Sequence, residues 1–461
     1  MALVLKRLPS FATACIVAAH CLLLCGTLHA EEPSAEVSAS GSTAGTSPAG
    51  ALDGDRFSVE TDALWKGEGR QCWWQVEFPE PRQIGSILQI NGDHEYRLDH
   101  APRNYRWLTS ADGETWTTIA ATAIQRETRL YRIHRLQQPI STRFLRLQIN
   151  QSYSDDPARP KYGQAPALRE VEFYPTTDAE IDFEDWIIAV SSVEAPDYYG
   201  AGPPFISLAR ECEGWENVPA QWLWYGDFDP EFVSAEPRPL CAFFSGSGLE
   251  WCQRSREPWR GVQEVLKSRA LPMWGACGGA QAFAILEVTG VDRPWDCPRC
   301  RDPENPLSPV YSHIGHTGQA SCGDYSQNIP ERGLFTMQKV ADDPVFEGLT
   351  LFDIAEGHIG QIDYVPEGWT RVVTKGPGAL TVNQCLRISD APIYAAQFHC
   401  ESYSKTRDAS KQIMSNFLQL AQRWGGYNPD AERLSPPETI DLDSKESAGS
   451  PDEGNRAAQT H

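Results

Sequence analysis

The stretch LPMWGACGGAQAFA, residues 271–284, decides the fold of the larger part of the chain. It begins as an apolar run, narrows to GACGG (275–279) and continues as a helix-like segment. A sharp strand-to-helix turn needs small neighbours, because the backbone folds close to itself, as in the G-x-S-x-G turn of serine hydrolases. The stretch therefore predicts a strand, a tight turn carrying Cys277, and a helix whose N-terminus favours thiolate over thiol. The alternative is a buried structural cysteine.

Apolar runs upstream of this turn indicate a parallel sheet. DWIIAVSS (185–192) and PLCAFFSGSG (239–248) read as buried strands, and REPWRGVQEVLKSR (256–269) has apolar positions at helical spacing. Continuous apolar strands that alternate with helices predict a parallel sheet covered on both faces. The working groups of such sheets lie at the carboxyl ends of the strands, where Cys277 falls.

A partner for the cysteine lies more than a hundred residues downstream. PIYAAQFHCESY (392–403) is a further apolar strand that ends in His399, two residues before Glu401. A thiol needs an imidazole to take its proton, and the imidazole needs a carboxylate to hold its tautomer. A lone histidine here is more often structural, but together with GACGG it predicts a Cys-His-Glu trio.

These motifs resemble those of class I glutamine amidotransferase domains. Gly275, Cys277, Gly279 and Gln281 match the G-x-C-x-G-x-Q nucleophile motif, and QFHCE (397–401) matches QFHPE with cysteine in place of proline. SGSG (245–248) is similar to the S-G-G turn of the family. The resemblance covers residues 183–427 and implies an α/β flavodoxin-like domain with a parallel sheet.

The resemblance also implies roles for individual residues. Cys277 would attack a carboxamide-type carbonyl, with His399 as base and then acid and Glu401 orienting it. Backbone amides of Gly246 or Ser247 and of Gly278 would stabilise the oxyanion. Gln281 would help to hold the substrate, and the reaction would require no cofactor.

Residues 51–177 form a different block. Short alternating runs separated by turn residues predict an antiparallel sandwich or barrel, at 73–78, 84–90, 105–111, 115–120, 143–149 and 168–174. WWQVE (73–77), SADGETW (110–116) and RFLRL (143–147) resemble the discoidin domain, the coagulation factor 5/8 type C jelly roll. Such domains commonly bind sugars or surfaces through loops at one end. The candidate ligand residues are Trp65, Asp93, His94 and Arg97, and the alternative is that they are ordinary polar loop residues.

The ends of the chain read as targeting and linker segments. Lys6 and Arg7 precede an apolar run and Ala30 precedes two glutamates, so residues 1–30 predict a secretory signal peptide, with an uncleaved anchor as the alternative. Residues 31–50 predict a flexible linker and 435–461 a disordered acidic tail. No other stretch is apolar enough to span a membrane, and the formal charge of −22 argues against nucleic acid as a partner.

Ten of the 13 cysteines follow the signal segment, and in an oxidising compartment most of them should pair. Cys297 and Cys300, followed by His313 and His316, have nearly the spacing of a structural zinc site. Disulfides or free thiols compete with zinc at this segment.

The sequence thus predicts a secreted or periplasmic Cys-His-Glu hydrolase that acts on a glutamine-like amide or γ-glutamyl bond and is tethered to a glycan or surface. Export makes the transfer of ammonia to a synthase an unsuitable role. The alternative is a non-catalytic carbohydrate- or surface-binding protein on an amidotransferase-like scaffold.

Overall fold

A computed structural model describes residues 35–153, 165–194, 203–248, 250–295, 310–314, 328–402 and 407–440. The predicted signal peptide and most of the predicted acidic tail lie outside these residues. The first domain contains strands β1 (Glu36–Ala39), β2 (Trp65–Lys66), β3 (Cys72–Asn91), β4 (Pro102–Ser110), β5 (Thr117–Thr118), β6 (Tyr131–Ser152) and β7 (Ala167–Tyr174).

The second domain begins at β8 and combines strands with α-helices. Its strands are β8 (Ile187–Ser191), β9 (Ala220–Trp224), β10 (Cys241–Phe244), β11 (Met273–Ala276), β12 (Tyr311–His313), β13 (Glu331–Lys339), β14 (Ala341–Asp342), β15 (Leu351–His358), β16 (Gly360–Ile362), β17 (Trp369–Lys375), β18 (Cys385–Ile388), β19 (Ile393–Ala396) and β20 (Glu438–Thr439). Its helices are α1 (Pro203–Ala209), α2 (Pro230–Ser234), α3 (Arg260–Ser268), α4 (Gly278–Val288) and α5 (Arg407–Trp424).

The first domain is an antiparallel β-sandwich, which confirms the prediction for this block. Two predicted strands, 73–78 and 84–90, are parts of the long β3, which pairs with β6 on both sides of an irregularity between Glu77 and Arg82. Side chains alternate along the strands, so that Trp74, Val76 and Phe78 enter the core while their neighbours remain partly exposed. The period of two produces this one-sided burial.

The predicted linker over residues 31–50 is wrong for the part that the structure describes. Glu36–Ala39 form β1, which pairs antiparallel with the Trp74–Glu77 part of β3. The indole of Trp65 donates to the carbonyl oxygen of Gly41 at 3.1 Å. Main-chain pairing needs few apolar side chains, and therefore a composition rich in Ser, Ala and Gly concealed it.

The second domain is built on a nine-stranded sheet in the order β15-β13-β17-β18-β19-β11-β10-β8-β9. The predicted parallel pairing is present in the five strands from β19 to β9. The other four strands are antiparallel, so the sheet is mixed and richer in strands than the expected parallel sheet. Helix α4 is buried on all sides from Gly278 to Leu286, as an evenly apolar helix should be.

The sandwich covers the edge strand β9 of this sheet. The backbone nitrogen of Trp222 donates to the carbonyl oxygen of Tyr96 at 2.7 Å. The Gln221 amide accepts from the backbone nitrogen of Leu130 at 2.9 Å and donates to the carbonyl oxygen of Thr128 at 2.6 Å. One hydrophobic cluster contains Leu88, Ile90, Leu130 and Tyr131 of the sandwich together with Trp186, Ile188 and Val190 of the second domain. The two domains therefore share a core.

The predicted tail starts too early. Glu438–Thr439 pair with Ala341–Asp342, and the guanidinium of Arg387 donates to the carbonyl oxygen of Ser435 at 2.6 Å. The second domain thus extends beyond residue 427 to residue 440. Within the described ranges, no helix is long and apolar enough to span a membrane.

Candidate active site

Cys277 lies in the turn between β11 and α4, at the carboxyl edge of the parallel strands. Its φ of 49° and ψ of −107° are rare for a residue with a side chain, so the turn is strained. Its backbone nitrogen donates to the carbonyl oxygen of Ala396 at 2.8 Å, and its own carbonyl oxygen accepts from the nitrogen of Gln281 at 3.1 Å. A Cβ on Gly275 would lie 2.7 Å from the carbonyl carbon of Gly279, which explains the small residues in this motif.

His399 and Glu401 follow β19, which is the parallel neighbour of β11. The imidazole hydrogen-bonds to the side chain of Cys277, and its Nδ1 lies 2.7 Å from Oε1 of Glu401. The backbone nitrogen of His399 donates to the carbonyl oxygen of Ala355 at 2.9 Å, which fixes this segment to β15. The fold thus brings Cys277 together with two residues that lie more than a hundred positions downstream in sequence.

The charges around Cys277 favour a thiolate. Burial alone raises the pKa of the thiol, but the hydrogen bond and charge of His399, together with the charge of His358, hold this pKa below its ordinary value. Burial lowers the pKa of His399, yet the charge of Glu401 and the contact with Cys277 raise it well above the ordinary value. The pair can therefore exist as thiolate and imidazolium, which is the reactive form of a cysteine nucleophile.

The segment expected to form the oxyanion hole lies against the start of α4. A Cβ on Gly278 would lie 2.6 Å from the backbone nitrogen of Ser247. A Cβ on Gly246 would lie 3.1 Å from Cε1 of His399 and 3.8 Å from Sγ of Cys277. The Gly246–Ser247 segment and the start of α4 therefore lie against each other beside Cys277, because β10 and β11 end next to each other.

A cavity of about 460 Å³ opens in front of Cys277, and its walls include Glu250, Gln281, Asn328, Arg332 and His358. The side chain of Gln281 donates to the carbonyl oxygen of Gly360 at 3.0 Å and accepts from the indole of Trp251 at 3.0 Å. Its amide therefore holds the cavity wall together, and the substrate-holding role that the resemblance implied stays a prediction.

The strongest site feature that sequence reasoning left without a role is the pair Glu356 and His358. Nε2 of His358 lies 2.7 Å from Oε2 of Glu356, and both side chains are buried. The spacing Glu-x-His mirrors the His-x-Glu of residues 399–401 and is the signal that could have identified it. Residues two apart on a strand point to the same face.

The structure separates the candidate ligand residues of the sandwich. Trp65 is fully buried, so the prediction that it forms an aromatic platform is wrong. Asp93 lies 2.7 Å from both the ammonium of Lys66 and Nδ1 of His100, and these three side chains are partly exposed. Sequence reasoning missed Lys66 and His100, because they become neighbours of Asp93 only when the loops fold.

The loop that carries Asp93 also reaches the second domain. His94 is half-buried against the ring of Tyr96. Nε of Arg97 lies 3.2 Å from a carboxylate oxygen of Asp99. Glu95, in the same loop, pairs with Arg210 of the second domain at 2.6 Å. Part of the predicted ligand loop is therefore an interdomain contact.

The proposed zinc ligands cannot be compared as a set, because Cys297, Cys300 and His316 lie outside the described residues. Nε2 of His313 lies 2.7 Å from Oε2 of Glu250, and both side chains are buried. Among the described residues, no group of three or more His, Cys, Asp or Glu side chains is arranged to hold a metal ion. The zinc site stays a prediction.

Most cysteines that the structure describes are unpaired, which corrects the expectation of general pairing. Cys252 is disulfide-bonded. The free thiols are all buried and belong to Cys72, Cys212, Cys241, Cys277, Cys385 and Cys400. Burial raises the pKa of Cys72 to about 12 and that of Cys212 to about 11, so these thiols are poor nucleophiles at neutral pH.

Comparison with known proteins identifies the first domain. Residues 35–161 match the F5/8 type C domain family. This F5/8 type C domain includes β1, so the family boundary agrees with the ordered strand rather than with a linker ending at residue 50. Carbohydrate or surface binding is the kind of function that this domain supports. No curated protein sequence matches the chain.

Solved structures are similar to each part of the chain. A family 32 carbohydrate-binding module from Streptococcus pneumoniae EndoD has 15% identity and a TM-score of 0.26, covering 31% of this chain and 97% of that chain. The family 32 module of C. perfringens NanJ, solved with galactose, has 14% identity and a TM-score of 0.24, covering 30% and 90%. A Thermoplasma acidophilum protein assigned as part of a GMP synthase has 18% identity and a TM-score of 0.38, covering 53% and 98%.

Proposed function

We propose that the second domain is a cysteine hydrolase of the class I glutamine amidotransferase type, which cleaves a glutamine-like amide or γ-glutamyl bond. The observation that carries the proposal is the strained Cys277 beside His399, with Glu401 on the other ring nitrogen. The parallel strands β8 to β11 and β19, with helices between them, support the flavodoxin-like assignment of this part of the mixed sheet.

The proposed reaction proceeds in two steps. The Cys277 thiolate attacks the carbonyl carbon, and the oxyanion is stabilised by amides of Gly278 and the Gly246–Ser247 segment. His399 gives its proton to the departing amine, which leaves a thioester on Cys277. A water molecule then attacks the thioester carbonyl while His399 accepts a proton from that water. The Cys277 thiolate departs as the leaving group, and the acid product is released.

The signal segment and the F5/8 type C domain support an extracellular location for this hydrolase. Secretion or export to the periplasm fits a hydrolase that releases ammonia without a synthase partner. We also propose that the F5/8 type C domain holds the enzyme on a carbohydrate, since carbohydrate or surface binding is the kind of function that such a domain supports. The partly exposed group of Lys66, Asp93 and His100 is the favoured site, because charged hydrogen-bonding side chains suit sugar hydroxyls.

A diazo-ketone analogue of glutamine tests the hydrolase. We expect one covalent label on Cys277 in the wild-type protein and none in Cys277→Ser, together with a loss of ammonia release of about 10³-fold or more. His399→Asn should also lose ammonia release. Absence of both labelling and hydrolysis of glutamine and γ-glutamyl peptides in the wild type would contradict the proposal.

Glycan-array binding by the full chain tests the sugar site. Asp93→Ala should abolish binding, because it removes the carboxylate that orders Lys66 and His100. Glu114→Ala is the matched control. Glu114 is an exposed carboxylate just after the end of β4, whereas Asp93 lies before the start of that strand. Equal binding by both variants would contradict this site, and no binding by the wild type would count against the tether.

The alternative function is a non-catalytic binding protein, and the same experiments separate it from the hydrolase. Glycan binding without labelling of Cys277 would support that alternative. The lowered pKa of Cys277 favours the enzyme, since a scaffold has no need of a reactive thiol.

A further inference from the structure

A second histidine lies beside Cys277 and takes no part in the proton transfers proposed above. His358 ends β15, lines the same cavity as Cys277 and is 4% exposed. Its Nδ1 lies 2.9 Å from the carbonyl oxygen of Gly360. Its Nε2 lies 2.7 Å from Oε2 of Glu356 and 3.5 Å from Oε2 of Glu331.

Both ring nitrogens of His358 therefore lie close to oxygen atoms. A carbonyl oxygen can only accept, so the nitrogen that faces Gly360 carries a hydrogen. Glu331 accepts a hydrogen bond from the backbone nitrogen of Thr381 at 3.0 Å, as a carboxylate does. Nε2 makes no aligned hydrogen bond with Glu356 or Glu331, so the two buried carboxylates act on the ring through their charge at close range. The arrangement therefore fits an imidazolium, which has hydrogens on both nitrogens.

The charges around His358 support the same protonation state. Burial lowers the pKa of His358, but Glu356, the Cys277 thiolate and Glu331 outweigh it and raise the pKa above the ordinary value. Burial raises the pKa of Glu356, whereas the adjacent His358 opposes that rise. His358 is almost closed to water, so its charge is weakly screened at Cys277, where the negative charge of Glu356 offsets part of its effect.

We propose that His358, held by Glu356, is a positioning residue whose fixed positive charge keeps the Cys277 sulfur ionised alongside His399. This inference rests on the proposed role of Cys277 as the nucleophile. His399 gives up its proton to the leaving amine during each turnover, whereas His358 keeps its own proton throughout. The sulfur is therefore stabilised as a leaving group in the deacylation step even while His399 acts as base.

The rate of alkylation of Cys277 by iodoacetamide, measured between pH 4 and 9, tests this inference without any substrate. The thiolate displaces iodide, so the rate follows the ionised fraction of the sulfur. His358→Asn removes the charge and keeps an N–H group for the Gly360 carbonyl. We expect the midpoint of its profile to move to higher pH, with alkylation at pH 6 slowed about tenfold for each pKa unit.

Two further variants make the outcome decisive. His358→Gln removes the positive charge with a second neutral side chain, so its profile should move in the same direction as that of His358→Asn. His134→Gln is the control, because His134 is a buried histidine of the sandwich. Mass spectrometry assigns the label to Cys277, and Cys277→Ser supplies the background.

A wild-type profile in folded His358→Asn would overturn the proposal. If that variant does not fold, an unchanged profile in His358→Gln overturns it instead. The proposed function fails separately, since a shifted alkylation profile in a protein that hydrolyses no amide would retain the charge role of His358 and reject the hydrolase.

Discussion

At the scale of single residues, Gly278 has the clearest steric requirement. A Cβ there would lie 2.6 Å from the backbone nitrogen of Ser247, so Gly278→Ala must push the oxyanion segment away from Cys277. We expect ammonia release to fall by about 10²-fold or more, the effect of losing an oxyanion donor.

Gly261→Ala is the comparison for this prediction. Its Cβ would meet the carbonyl oxygen of Phe228 at 2.4 Å, so it should lower thermal stability as well. Since Gly261 lies in α3, away from the sulfur, the folded fraction of Gly261→Ala should retain its activity. Equal activity of both variants per folded molecule would contradict the role of Gly278.

The charge of Glu401 sets the alkaline limit of activity. His399 has a raised pKa, so its cation persists to higher pH than that of a free histidine. Activity should fall when the pH rises above the pKa of His399 in the folded protein. Glu401→Gln keeps an acceptor for Nδ1 and removes the charge. The alkaline limb of kcat/KM should therefore move to lower pH by about 1 unit or more.

The same shift contributes to stability in a defined pH window. A raised histidine pKa stabilises the fold fully below the pKa of the unfolded chain and loses that contribution as the pH rises through the folded-state pKa. The free energies of unfolding of the wild type and of Glu401→Gln should therefore differ most in acid and converge in alkali.

An alkaline limb of kcat/KM that does not move in Glu401→Gln would contradict the assigned role of the carboxylate.

At the scale of elements, β1 shows that composition underestimates a strand held by its main chain. Deleting residues 35–40 removes the pairing with β3 and exposes the edge of that strand. Net main-chain hydrogen bonds contribute about 0.5–1.5 kcal/mol each, so we expect a loss of roughly 2 kcal/mol in the free energy of unfolding. Urea denaturation measures the loss. Ser38→Ala, at an exposed position of β1, should unfold like the wild type.

The central helix and the two strands around it explain why the site was predictable at all. Cys277 and His399 each follow a short buried strand, and β11 and β19 are parallel neighbours. The carboxyl ends of adjacent parallel strands meet at one edge. The sequence pattern therefore located both residues. His358 was missed because it ends β15, a strand in the antiparallel part of the sheet that no apolar run had indicated.

At the scale of the whole molecule, the interface between the domains is a structural core rather than a flexible tether. The Arg129 side chain is fully buried and donates to the carbonyl oxygens of Tyr131, Phe232 and Pro237, the last two in the second domain. Arg129→Ala leaves these carbonyls unsatisfied, so we expect a loss of about 3 kcal/mol or more and joint unfolding of both domains.

Glu95→Gln is the matched interface control. Glu95 pairs with Arg210, but its side chain is 46% exposed, and exposed ion pairs contribute only about 0–1 kcal/mol. Calorimetry of the full chain compares the two variants. Separate transitions for the two domains, or equal effects of the two substitutions, would contradict a shared core.

The sequence by itself determined the features that a local pattern encodes. These are the sandwich, from its alternation of period two, the parallel strands, from their apolar runs, and the tight turn at Cys277, from its glycines. Only the tertiary structure decided which loops meet. It buried Trp65, joined Asp93 to Lys66 and His100, committed Gln281 to the cavity wall, and brought His358 and Glu356 to Cys277. The physical reason is that contacts between distant segments depend on strand order and loop packing, which leave no periodic trace in the chain.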